Sequence, residues 1–151
     1  MENFMYKRIL VATDGSTLSR KAVDSSISLA AATGAELLAL YVVPRYPVSY
    51  WEGSVTRSHS DIARAEKQWA EHGQAVVDNV RDAAKTDGVK AEGLVACSDL
   101  VAKSIMAVAK KHKCDLVVMA SHGRKGLKRI VLGSETQQVL THSHVPVLVL
   151  R

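Results

Sequence analysis

Hydrophobic positions along this chain fall into two kinds of run that alternate. Short apolar runs rich in β-branched residues occur at Arg8–Thr13 (R-I-L-V-A-T), Glu36–Val43 (E-L-L-A-L-Y-V-V), Ala91–Cys97, Cys114–Ala120 and Val145–Leu150. Each predicts a strand, and the first lacks polar alternation, as a strand buried on both faces does. Longer stretches between them repeat at helical spacing. Ser16–Thr33 sets Leu18, Ala22, Ile27 and Ala30 on one side and stops at Gly34. His59–Lys85 carries a stripe of Ile62, Ala65, Trp69, Val76, Val80 and Ala84, and Asp99–His112 turns Val101, Ile105 and Val108 inward. Glu135–Thr141 is a short last helix.

Strand and helix in such regular alternation predict an α/β fold: a single doubly wound, five-stranded parallel sheet with helices on both faces, of the Rossmann-like kind. With 151 residues and 16.3 kDa, residues 1–151 are expected to form one domain. Pro44–Ser58 (P-R-Y-P-V-S-Y-W-E-G-S-V-T-R-S) is long for a loop inside a compact domain. Its Tyr46, Tyr50 and Trp51 suit either a cover over a ligand or packing on the next helix.

Composition narrows the class without choosing a ligand. Hydrophobic residues at 47% and charged residues at 23% are ordinary for a soluble globular protein. A formal charge of +5 suits anionic partners of several kinds. Cys97 and Cys114 each sit beside an apolar run, and both are expected to be buried free thiols in a reducing compartment. No secretory signal pattern opens the chain, and no apolar run approaches the roughly 20 residues that span a bilayer. The expected location is the cytoplasm, away from membranes.

Ligands of open parallel sheets bind outside the carboxyl ends of the strands, where strand order reverses. In the order 3-2-1-4-5 that point lies between the first and fourth strands. Ala12-Thr13-Asp14-Gly15-Ser16 and Ala120-Ser121-His122-Gly123 then face each other. Asp14 there can hold a ribose hydroxyl or a water-bound metal, or it can form an Asx-turn starting the first helix. Gly133-Ser134 opens the last helix, and Ser134-Glu135-Thr136-Gln137 fits an S-x-x-Q capping box. Free N–H groups at that helix end suit a phosphate chain, with the Ser134 and Thr136 hydroxyls as further donors. Glu135 opposes a bare anion unless it points outward or holds a cation. Arg124, Lys125, Lys128 and Arg129 are either phosphate contacts or a solvated face.

Other motifs are missing. No G-x-x-x-x-G-K-[ST] and no G-x-G-x-x-G after the first strand occurs. His142-Ser143-His144 lacks a third metal ligand nearby in sequence, and no base or nucleophile pairs with His122. No aromatic interleaving or recognised module favours nucleic acid.

Four segments together resemble the universal stress protein family over nearly the whole chain: Y-K-R-I-L-V-A-T-D-G-S, C-D-L-V-V-M-A-S-H-G-R, L-G-S-E-T-Q-Q-V-L and V-P-V-L-V-L. The nucleotide-binding branch carries G-x-x-G-x(9)-G-[ST]; here Gly123 and Gly133-Ser134 keep the spacing, and Ala120 replaces the first glycine. The resemblance implies the 3-2-1-4-5 sheet, ATP (with Mg2+ possible) in the crevice, and a homodimer pairing the Val145–Leu150 edge strands. It implies Ala12, Thr13 and Asp14 along adenosine and the Val42 backbone against adenine. Met119, Ala120 and Gly123 are implied beneath ribose and phosphates, with Gly133, Ser134 and Glu135 at the phosphate tail. Three functions then compete: a cytoplasmic stress-response switch or sensor, a nucleotide-independent dimeric scaffold, and a slow ATP hydrolase in which Asp14 orients metal and water.

Overall fold

The structure is a computed structural model that describes residues 5–45, 59–122 and 132–151. The cover suggested for Tyr46, Tyr50 and Trp51 lies outside the described residues. Among the described residues nine elements follow in order: β1 (Arg8–Ala12), α1 (Thr17–Thr33), β2 (Glu36–Val43), α2 (His59–Thr86), β3 (Ala91–Cys97), α3 (Val101–Lys111), β4 (Leu116–Ala120), α4 (Ser134–His142) and β5 (Val147–Leu150). All strands are parallel, in the order β3-β2-β1-β4-β5.

Unbroken apolar runs in the middle strands follow from their position. On one face Ile9, Val11, Leu37, Ala39, Tyr41, Val43, Leu116 and Val118 pack with residues of α1 and α2. On the other, Leu10, Leu38, Leu40, Val117 and Met119 pack with Ala102, Ile105 and Ala109 of α3 and Val139 of α4. A strand covered on both sides has no wet face to give to polar residues. The edge strands β3 and β5 are only half-buried.

Glycines let α2 sit close to the sheet. A Cβ on Gly73 would lie 2.6 Å from Tyr41 Cδ1, and one on Gly93 would lie 2.7 Å from Val77 Cγ2. The fully buried contact opposite Gly93 is therefore Val77, while the expected Val76 is half-buried beside it. On α1 the buried line includes Ser19 and Ser26 together with Ala22, Val23, Ile27 and Ala30, whereas Leu18 is half-exposed. Small serines enter the core because each hydroxyl bonds a carbonyl three residues back: Ser19 Oγ to Ser16 O at 2.9 Å and Ser26 Oγ to Val23 O at 2.7 Å. Gly34 ends α1 in the left-handed region, as expected, with its N–H on the Ala30 carbonyl.

The amino edge of the sheet is clasped by charge. Glu36 of β2 pairs with Arg8 at 3.1 Å and with Lys90 at 3.3 Å, while the Asp115 carboxylate accepts the Lys7 and Arg8 N–H groups. Both cysteines are free, but Cys97 is exposed at the end of edge strand β3, against expectation, and only Cys114 is buried. No helix among the described residues is long and apolar enough to cross a membrane.

Candidate nucleotide site at the carboxyl edge

The strand order puts its reversal between β1 and β4, whose paired residues run from Ile9–Leu116 to Val11–Val118. Their carboxyl ends release two turns side by side. After β1, Thr13 continues the ladder through its N–H to the Leu40 carbonyl at 3.0 Å. Its buried hydroxyl lies 3.1 Å from Ser19 Oγ and accepts the Gly15 N–H at 3.2 Å. The Asp14 carboxylate accepts the Ser16 N–H at 2.9 Å, which is the Asx-turn, and Gly15 takes φ 77°. Ser16 caps α1 by accepting the Ser19 N–H. Asp14 is thus held at the crevice mouth by the turn it makes. Ser19 escaped sequence reasoning, although S-x-x-S across a helix start was the available signal.

After β4, the chain is stapled to the start of α4. Ser121 continues the sheet, donating to the Leu150 carbonyl at 2.7 Å, and its own carbonyl accepts the Gly133 N–H at 2.8 Å. The Thr136 hydroxyl donates to the Ala120 carbonyl at 3.0 Å, and the Gln137 amide nitrogen donates to the Leu132 carbonyl at 2.8 Å. Ser121–His122 and Leu132–Gly133, which flank residues 123–131, are therefore locked together. Gly133 allows this by its lack of a side chain: a Cβ there would meet Ser121 O at 3.2 Å and His122 Cα at 3.6 Å.

These contacts correct three expectations. Gly133 is the N-cap of α4 and Ser134 its first helical residue, so Ser134 does not close a capping box; its hydroxyl donates to the Glu135 carboxylate. The Gln137 side chain turns back, but onto Leu132. Thr136 is buried, and its hydroxyl donates to the Ala120 carbonyl at 3.0 Å, with the Ser121 carbonyl at 3.4 Å, so the hydroxyl braces the site. The helix makes its first bond from the Gln137 N–H to the Gly133 carbonyl, which leaves the Ser134, Glu135 and Thr136 N–H groups without intrahelical acceptors.

Ala12, Val42 and Met119 pack on the same face of the sheet, the α3–α4 face. Ala120 is buried, pairs with Leu150, and by strand alternation turns its methyl to the opposite face, with Leu116 and Val118. Its φ is not left-handed, since Lys113 is the only non-glycine residue with positive φ among the described residues. Alanine is thus accommodated without strain where the pattern has glycine. Gly123 and Arg124, with Lys125, Lys128 and Arg129, lie outside the described residues. Among those described, no three His, Cys, Asp or Glu side chains come together as a metal site.

The sequence model described as the Universal stress protein family matches residues 5–151. A universal stress protein of Methanocaldococcus jannaschii, MJ0531, is 35% identical over 97% of this chain and 83% of its own length. The Bacillus subtilis universal stress protein YxiE is 34% identical over 97% of this chain and 100% of its own. Among solved structures, hypothetical protein MJ0577 superposes with a TM-score of 0.80 at 25% identity, covering 97% of this chain and 96% of that one. A universal stress protein in complex with cAMP has a TM-score of 0.66 at 24% identity, with 97% of both chains covered. One from Archaeoglobus fulgidus in complex with dAMP has 0.60 at 17%, covering 97% of this chain and 99% of that one. The last two likenesses are of fold. With relatives at this identity over almost its whole length, and with the strand order and stapled helix just described, the chain belongs to the universal stress protein family.

Proposed function

We propose that this protein, acting as one unit over residues 1–151, binds an adenine nucleotide, ATP foremost, outside the carboxyl ends of β1 and β4. It works as a cytoplasmic stress-response or regulatory switch. One observation carries the reading: the start of α4 is fixed to the end of β4 at the strand-order reversal, with three N–H groups free of helix acceptors. Ligands of cAMP and dAMP in two proteins of like fold support the adenine class.

In this reading Ala12, Thr13 and Asp14 line the adenosine side, and the Val42 backbone meets adenine. Met119, Ala120 and Gly123 lie beneath ribose and phosphates. Gly133 and the N–H groups of Ser134 and Glu135 hold the phosphate tail, with Arg124 as a charge contact. The Glu135 carboxylate, fixed by Ser134, repels a bare polyphosphate and suits one that arrives with Mg2+. Calorimetric titration with ATP and Mg2+ is expected to give one saturable site per chain. No heat and no thermal shift at millimolar nucleotide would sink the proposal.

The partner proposal is a second copy joined through Val145–Leu150. β5 lies at the sheet edge and leaves Leu148 39% exposed, an apolar edge that invites pairing across a two-fold axis. This edge also favours a second reading, a dimeric scaffold indifferent to nucleotide. Sedimentation at micromolar concentration decides the dimer, and a monomer there ends both statements about it.

A further inference from the structure

A groove lies at the amino edge of the sheet, opposite the nucleotide site. It measures about 420 Å³ and lies between the end of α3 and the turn joining α4 to β5. That volume falls within the range of small-molecule sites, roughly 300–1,000 Å³. Half of its lining residues are apolar: Met106, Ala109, Cys114 and Val145. Lys110, Lys113, Ser143 and His144 complete the lining, and no acidic residue lines it. Neither lysine joins an ion pair among the described residues.

Lys113 adds an independent feature. It ends α3 at φ 56°, a left-handed conformation in which glycine is the usual residue at this place after a helix. The α3 end closes around it: the Cys114 N–H donates to the Ala109 carbonyl at 2.8 Å, and the Lys113 N–H to Lys110 O at 3.2 Å. Lysine holds this position at a backbone cost that glycine would avoid, and such outliers gather at binding sites. A positive charge in the groove lining is what lysine adds there.

A groove lined by apolar side chains together with two lysines matches an anion that has an apolar body. We propose that this groove binds an aliphatic carboxylate of medium chain length, its chain over Met106, Ala109 and Val145 and its carboxylate at Lys110 and Lys113. The site is separate from the nucleotide crevice and stands whether or not nucleotide binds.

The test uses the isotope-labelled full chain titrated with hexanoate, octanoate and 1-octanol, followed by amide resonance shifts. Octanoate is expected to move Lys110–Asp115 and Ser143–Val145 saturably, and to bind more tightly than hexanoate by up to about fourfold per added methylene, at ~0.8 kcal/mol per buried CH₂. Lys113→Gly, which suits the left-handed conformation and so keeps the fold, is expected to weaken octanoate at least about threefold and to leave 1-octanol unchanged. Shifts absent at millimolar octanoate, or scattered over the whole surface, overturn the proposal. So does equal binding of octanoate by Lys113→Gly and the unaltered chain.

Discussion

Replacing Gly133 with alanine sets two effects of opposite sign against each other. Its φ of −59° and ψ of 154° suit alanine, so in open space the change would stabilise by about 0.4–1 kcal/mol through the unfolded chain. The space is not open, because the new Cβ would stand 3.2 Å from Ser121 O. That oxygen has little freedom: it accepts the Gly133 N–H at 2.8 Å and the Thr136 hydroxyl at 3.4 Å, and the Ser121 N–H is held by Leu150. A shift of a few tenths of an ångström loosens this staple, and one such hydrogen bond is worth about 1 kcal/mol. The N-cap preference for glycine over alanine adds several tenths. The net loss is about 0.5–1 kcal/mol, or about 1–4 °C in Tm for a chain of this length. Urea titration of the unaltered protein, Gly133→Ala and Gly133→Val is the assay, with valine expected to lose more. An unchanged or raised midpoint for Gly133→Ala refutes the close-approach account of this glycine.

The same logic applies within α2, where Gly73→Ala would gain about 1 kcal/mol of helix propensity on an exposed helix. Here its Cβ meets the Tyr41 ring at 2.6 Å, so a loss of about 1 kcal/mol is expected by urea titration, reversed when Tyr41→Leu makes room. Asp14→Asn keeps an oxygen for the Ser16 N–H and should leave stability within about 0.5 kcal/mol, while Asp14→Ala loses about 1 kcal/mol in the same titration. Burial raises the Cys114 thiol from 9.0 to about 11, against the lowering influence of Arg8. Between those values the unfolded thiol has lost its proton and the folded one keeps it, so stability falls as pH rises from about 9 to about 11. Denaturation across that window should lose part of its pH slope in Cys114→Ala.

Where the sheet buries a run on both faces, apolarity alone located the strand, as for β2; the half-buried edge strand β3 also begins and ends where the pattern put it, and the order β3-β2-β1-β4-β5 is the expected one. The misses have a common physical cause, since they depend on who the neighbour is. Ser19 and Ser26 are buried because local carbonyls satisfy them, which hydropathy cannot register. Val77 outranks Val76 because Gly93, on another strand, leaves a hollow for it. Cys97 sits in an apolar run but closes an edge strand, so it meets solvent. At the site, Gly133 was legible at the start of a helix and Asp14 as the maker of an Asx-turn. The Thr136 hydroxyl was not, because its acceptor Ala120 lies 16 positions away in sequence and becomes a neighbour only through the sheet.

The central claim concerns where an adenine nucleotide sits, and amide resonance mapping with ATP and Mg2+ tests it most directly. The account predicts saturable shifts at Thr13–Ser16, Val42 and Ser134–Thr136, with Lys110–Asp115 at the opposite edge unmoved. Absence of saturable shifts at millimolar ATP, or shifts centred on the amino edge, would contradict it.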